Sequence, residues 1–107
     1  MTMTPIRRQI QPSYAELREL LGTEVTVLAS VLDGGGLVPL TLECLSTPVS
    51  WGGALTYSLR VVCPADQRIV PGRYELVHAT CTFDLSLFAV AEDVRFVHYE
   101  AYLSEPA

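Results

Sequence analysis

The chain has 107 residues, 50% of them hydrophobic and only 18% charged, and seven cationic residues against twelve anionic ones leave a net charge of -5. Every cation is arginine, and neither Lys nor Asn occurs, which excludes a phosphate-loop lysine, a Schiff-base lysine, a Ser-Lys dyad and an Asn-linked glycosylation acceptor. One domain of this length buries roughly 60–70% of the surface its unfolded chain exposes, enough for a single core and little room for a deep separate cleft.

Residues 1–12 carry Pro, Thr and Gln without periodicity and read as an extended arm, of the kind a neighbouring subunit can order. The remainder, 13–107, reads as a single β domain. It opens with one helix at 13–22, SYAELRELLG. There Ser13 and Glu16 have capping-box spacing, Tyr14, Leu17, Leu20 and Leu21 share a face, and Gly22 supplies the stop. Barely two turns long, this helix is stable only when packed on something else.

From Glu24 the pattern turns to β. Glu24 to Leu32 is Val-rich, and Asp33-Gly34-Gly35-Gly36 reads as a turn. Leu37 to Ser46 places Val38, Leu40, Leu42 and Cys44 on one face, with Pro39 suited to an edge or bulge. Residues 47–54, TPVSWGGA, read as a loop carrying Trp51. The cleanest alternation runs from Leu55 to Cys63, with Leu55, Tyr57, Leu59, Val61 and Cys63 set against Thr56, Ser58 and Arg60.

A polar loop follows at 64–72. Arg73 to Thr80 then puts Tyr74, Leu76 and His78 on one side, and Thr82 to Ala91 alternates Phe83, Leu85 and Leu87 against Asp84 and Ser86. After a turn begun by Glu92-Asp93, the last strand runs from Val94 to Leu103. Its core face is expected to hold Val97, Tyr99, Ala101 and Leu103, with Arg95 at the rim. About six short strands and one N-terminal helix, joined by short turns, predict a mainly β domain, an antiparallel barrel or sandwich. The helix is expected to plug a barrel end or cover a sheet edge.

The chemistry-bearing residues do not assemble. Cys44, Cys63 and Cys81 are too few and too spread for a disulfide scaffold, and each sits among apolar neighbours as a buried thiol would. His78-x-x-Cys81 with Cys44, Cys63 and His98 lacks the tight knuckle spacing of a zinc site. Nothing orients an imidazole toward Cys81 for nucleophilic catalysis. Glu43, Glu75, Asp84 and Glu100 fall at outward strand positions and, with Arg60, Arg73 and Arg95, suit cross-strand ion pairs. No helix follows the Gly-rich turn, so it cannot cradle phosphate. No metal or cofactor is expected.

An acidic protein, with a pI near 4.8, is a poor partner for nucleic acid, whose binding is mainly electrostatic. The apolar runs are too short and broken for membrane insertion. The segment MTMTPIRRQIQPS has no apolar stretch behind its arginines, so no secretory signal is expected and synthesis in the cytoplasm is; the final location, as part of a surface or virion-like assembly, stays open.

Several stretches resemble a family of small bacterial domains of unknown function. They are LRELLG at 17–22 before a Val-rich strand, Pro71-Gly72-Arg73-Tyr74-Glu75-Leu76-Val77-His78, Leu85-Ser86-Leu87-Phe88-Ala89-Val90, and His98-Tyr99-Glu100-Ala101-Tyr102-Leu103. These stretches are similar to that family's Pro-x-Gly-x-Tyr-x-Leu-x-His, Leu-x-Leu-Phe-x-Val-Pro and Tyr-Glu-Ala-x-Phe regions. Here Pro71 stands directly before Gly72, Ala91 replaces the usual Pro, and Tyr102 lies one place short of the usual aromatic. The resemblance covers residues 14–103. It implies a small all-β domain with no assigned activity, often encoded near phage-tail-collar proteins of tail fibres. It carries over no catalytic residue.

These readings lead to a non-enzymatic structural or interaction protein, an accessory or adaptor of a phage-tail-like or fibre-like assembly. Arg7, Arg8, Ile10, Trp51 and Tyr102 are its candidate contacts with a fibre or tail-collar protein, or with a second copy of the chain. The alternative is a small-ligand-binding barrel lined by Tyr57, Tyr74, His78 and Tyr99. A third reading, a small hydrolase or metalloenzyme, would use His78, Cys81 and His98.

Overall fold

In a computed structural model, residues 7–9, 11–29, 36–79 and 81–106 are described, with 7–9 and 28–29 described through their backbone. Ile10 and most of the Asp33–Gly36 turn lie outside these residues. The elements in order are β1 (Arg7–Gln9), α1 (Tyr14–Leu20), β2 (Glu24–Ala29), β3 (Gly36–Leu45), β4 (Val49–Trp51), β5 (Ala54–Pro64), a 3-10 turn (Ala65–Gln67), β6 (Gly72–Val77), β7 (Cys81–Glu92) and β8 (Phe96–Pro106). No helix among them is long and apolar enough to cross a membrane.

Six strands close on themselves. β2 pairs with β3, β3 with β5, β5 with β8, β8 with β7, β7 with β6, and β6 returns to β2, every pair antiparallel. Closure removes the free edges that an open sheet would present. Of the two expected architectures, barrel or sandwich, the antiparallel barrel is therefore the fold, with two short strands beside it. β4 pairs with the start of β5. β1 runs parallel to the start of β7, Arg7 opposite Cys81 and Gln9 opposite Phe83, so part of the expected arm belongs to the sheet.

Alternation fills the barrel. Val25, Val27, Val38, Leu40, Leu42, Leu59, Val61, Leu76, Phe83, Leu85, Leu87 and Tyr99 are all at most 2% exposed. In a six-stranded barrel, side chains from all strands meet at the axis, so the interior is a packed core. Tyr57, Cys63, Val97, Ala101 and Leu103 complete it from β5 and β8.

The helix seals one end. Ser13 caps it: its Oγ accepts from the Glu16 backbone N–H at 3.1 Å, and the Glu16 carboxylate accepts from the Ser13 N–H at 3.1 Å. Leu17 is fully buried in the core cluster, and the Tyr14 ring meets Tyr57 edge-on at 5.0 Å. The Tyr14 N–H donates to the Glu105 carboxylate at 2.9 Å, tying the helix to the end of β8. Gly22, at φ +83, then turns the chain into β2, its N–H donating to the Leu42 carbonyl at 2.7 Å.

The plug yields two graded expectations for urea denaturation. Leu17→Ala should cost about 2–5 kcal/mol as a core cavity, and Ser13→Ala about 1 kcal/mol as a lost cap. Equal effects, or none at Leu17, would show that the helix does not close the barrel.

Candidate interaction surface

The opposite end of the barrel is closed by a strap. After β5 the chain passes through the 3-10 turn to Pro71 before entering β6. Ile69 folds inward and is only 3% exposed. Its N–H donates to the Tyr99 Oη at 3.1 Å, and that hydroxyl donates to the Ile69 carbonyl at 2.7 Å. One buried phenol thus satisfies both backbone groups of the strap residue, which would otherwise be costly to bury. Burial, ahead of all other causes, pushes Tyr99 up to about 12, and burial followed by the nearby Glu105 carboxylate does the same to Tyr57.

The four residues proposed to line a ligand cavity do not converge on one. Tyr57 and Tyr99 are buried in the packed interior. Tyr74 is half-buried and donates its hydroxyl to the Val70 carbonyl. His78 is half-buried beyond the end of β6, its N–H donating to the Cys81 carbonyl at 2.8 Å. Of the three residues of the enzyme reading, His78 and Cys81 are neighbours through this backbone bond, but His98 is remote from both. Cys81 opens β7 with its side chain buried, whereas His98 pairs with Ala91 ten residues further along β7, roughly 33 Å away along an extended strand. Among the described residues, no group of three or more His, Cys, Asp or Glu side chains is placed to share a metal ion.

The outer face carries the polar and aromatic groups. Partners directly opposite in an antiparallel pair point the same way, so the register Arg60↔Glu100, Ser58↔Tyr102 and Thr56↔Ser104 puts all six side chains outside. Arg60 Nη2 lies 2.8 Å from Glu100 Oε1, and the Tyr102 hydroxyl donates to Glu100 Oε2 at 2.9 Å. Arg60 and Tyr102 together hold the Glu100 carboxyl below its ordinary value. His98 sits between two carboxylates, Asp93 at 3.5 Å and Glu43 at 3.7 Å. Asp93 accepts from the backbone N–H groups of Phe96 and Arg95, which lowers its pKa and sets the β7–β8 turn.

Cys44 departs from expectation. The pairing of β3 with β5 shifts between Leu42 and Cys44. A bulge of this kind adds a residue and reverses the alternation. Cys44 therefore lies opposite outward Arg60 and is exposed, while Cys63 and Cys81 are buried. Trp51 also departs from expectation, because it ends a strand. Gly52 and Gly53, at φ +59 and +79, form a two-residue turn whose two positive φ values suit glycine. Trp51 then pairs with Ala54.

The result is a run of apolar side chains on one outer face. Trp51 is 78% exposed, Tyr102 64%, Val49 59% and Phe88 50%. Phe88 and Tyr102 are in ring contact at 5.9 Å, and Val49, Thr56 and Tyr102 border one open groove. Trp51 and Tyr102, singled out from sequence, share this face. Arg7 and Arg8 lie on β1, across the start of β7. Phe88 and Val49 were missed. Phe88 was legible, since Leu85 and Leu87 point inward and the next position must point out.

A second feature lies at the strap end. A cleft of about 390 Å³ is floored by Val97 and Tyr99 and walled by Ile69, Pro71, Ala89 and Ala91. An Arg68–Glu92 ion pair stands at its rim. The pairing of β7 with β8 shifts between Ala89 and Ala91, and Val90 between them is 40% exposed.

No family model, no curated protein and no solved structure matches this chain.

Two measurements check the strap. Tyr99→Phe leaves the Ile69 N–H and carbonyl without their partner and should cost about 1–3 kcal/mol in denaturant unfolding. An alkaline titration of tyrosinate absorbance should show Tyr57 and Tyr99 ionising late. Their raised values mean that the fold favours the neutral phenol. This contribution is intact below the ordinary value of 10.0 and lost as pH rises toward about 12. Simultaneous ionisation of all tyrosines near the ordinary value, with the fold intact, would contradict the burial described.

Proposed function

We propose that this protein is a non-enzymatic interaction module, an accessory or adaptor subunit of a fibre-like or phage-tail-like assembly. The observation that carries the reading is the outer face, where Trp51, Val49, Tyr102 and Phe88 stand in water at 50% exposure or more on a barrel whose interior is already full. Aromatic side chains grouped in this way act as binding anchors, because each carries a large apolar area at low entropic cost. The Arg60–Glu100–Tyr102 network beside them supplies a polar margin of the kind that surrounds such anchors. The net charge of -5 favours a protein partner over nucleic acid.

The fibre context rests on the family resemblance of residues 14–103, and the partner class is accordingly a tail-collar or fibre protein. The test is binding of the chain to a tail-collar or fibre protein, measured by calorimetry. Trp51→Ser combined with Tyr102→Ser should weaken binding about tenfold or more, with the far-ultraviolet circular dichroism unchanged. Undiminished affinity in the double variant would overturn the assignment of this face.

A further inference from the structure

We propose that copies of this chain associate head to tail, Trp51 of one copy entering the strap-end cleft of the next. The proposal deepens the reading of the protein as an interaction module and rests on it. Trp51 is the single tryptophan of the chain and is 78% exposed. The tip that carries it, Ser50 to Ala54, holds no charge and turns through two glycines. It can therefore approach another surface closely without burying an ion.

The cleft supplies a receptor for the indole. Its floor and walls are apolar, and at about 390 Å³ it falls within the size range of small-molecule sites, with ample room for an indole ring. The room exists because Ala89 and Ala91 contribute only methyl groups to its wall. The rim favours an aromatic occupant over an aliphatic one. The Arg68 side chain, 54% exposed, offers a guanidinium to the face of an inserted ring, and its pairing with Glu92 leaves the rim without net charge.

The two features cannot meet within one molecule. β5 runs 11 residues from Ala54, opposite Trp51, to Pro64, at the strap, roughly 35 Å at the strand rise. Plug and cleft therefore occupy opposite ends of the barrel. Two different surfaces meeting between copies make a heterologous contact, which propagates into a ring or filament. Association is expected at physiological ionic strength, where the Debye length is about 8 Å and the like charges of the copies are screened.

The test uses two half-competent variants and light scattering. Trp51→Ala keeps the cleft and lacks the plug; Ala91→Phe keeps the plug and fills the cleft. Ala91 is exposed, so this substitution leaves the core untouched, and Ala89→Phe provides an independent second block. Wild-type mass should grow with concentration, and each variant alone should stay monomeric. An equimolar mixture should give a dimer of twice the monomer mass and nothing larger. In that mixture the sole tryptophan, Trp51 of the Ala91→Phe copy, excited selectively over the tyrosines, should shift its emission to shorter wavelength. A mixture that stays monomeric with unshifted emission would overturn the proposal, as would a wild type that is monomeric at its highest soluble concentration. If such a monomer still binds the fibre protein through the outer face, self-association falls and the interaction-module reading stands.

Discussion

Closure of the β5–β8 pair into a six-stranded barrel is the constraint from which the other features follow. The two strands pair along their whole length, from Ala54↔Pro106 to Pro64↔Phe96. This commits every odd position of both strands, Tyr57 to Cys63 and Val97 to Leu103, to the axis. A barrel this narrow has no lumen, and its inward side chains are the core. The ends must then be stopped by something apolar. Leu17 on the capped helix stops one, and Ile69, held by the Tyr99 hydroxyl, stops the other.

A filled barrel leaves its outer face as the surface open to other molecules. The outward positions include a charged belt, Arg60, Glu100, His98, Asp93 and Glu43, and an apolar run, Trp51, Val49, Tyr102 and Phe88. The belt sets paired charges against water. The run has no such use, and large exposed apolar side chains grouped on one face of a small protein mark contact surfaces. The hairpin and the strap cleft add a plug and a socket at the two ends of the same strand.

Much of this was legible from the residues. The Ser13–Glu16 spacing names the cap, and period-two alternation in β5, β7 and β8 separates core from surface correctly, because those strands have one solvated face. Two of the carboxylates at outward positions do find arginines, Glu100 with Arg60 and Asp84 with Arg73, while Glu43 lies beside His98. Four features escaped. Cys44 follows a bulge, and one extra residue inverts every later inward–outward assignment on a strand while leaving composition unchanged. Trp51 reads as loop because Gly52-Gly53 marks a turn, but a strand of three residues is too short to show alternation. β1 pairs in parallel with a strand more than seventy positions away, and no local signal encodes that. The cleft likewise needs the three-dimensional meeting of 68–71 with 89–92, in which two alanines matter for what they leave unfilled.

The central claim, that the barrel holds nothing but its own side chains and works through its surface, is tested most directly by native mass spectrometry of the purified protein. The expected mass is that of the bare polypeptide, or integral multiples of it, before and after unfolding. A constant additional mass that is stoichiometric in the folded protein and released only on unfolding would contradict it, because a molecule held that way is enclosed by the barrel, where Leu40, Leu59, Phe83 and Tyr99 pack, and not seated in the open strap-end cleft.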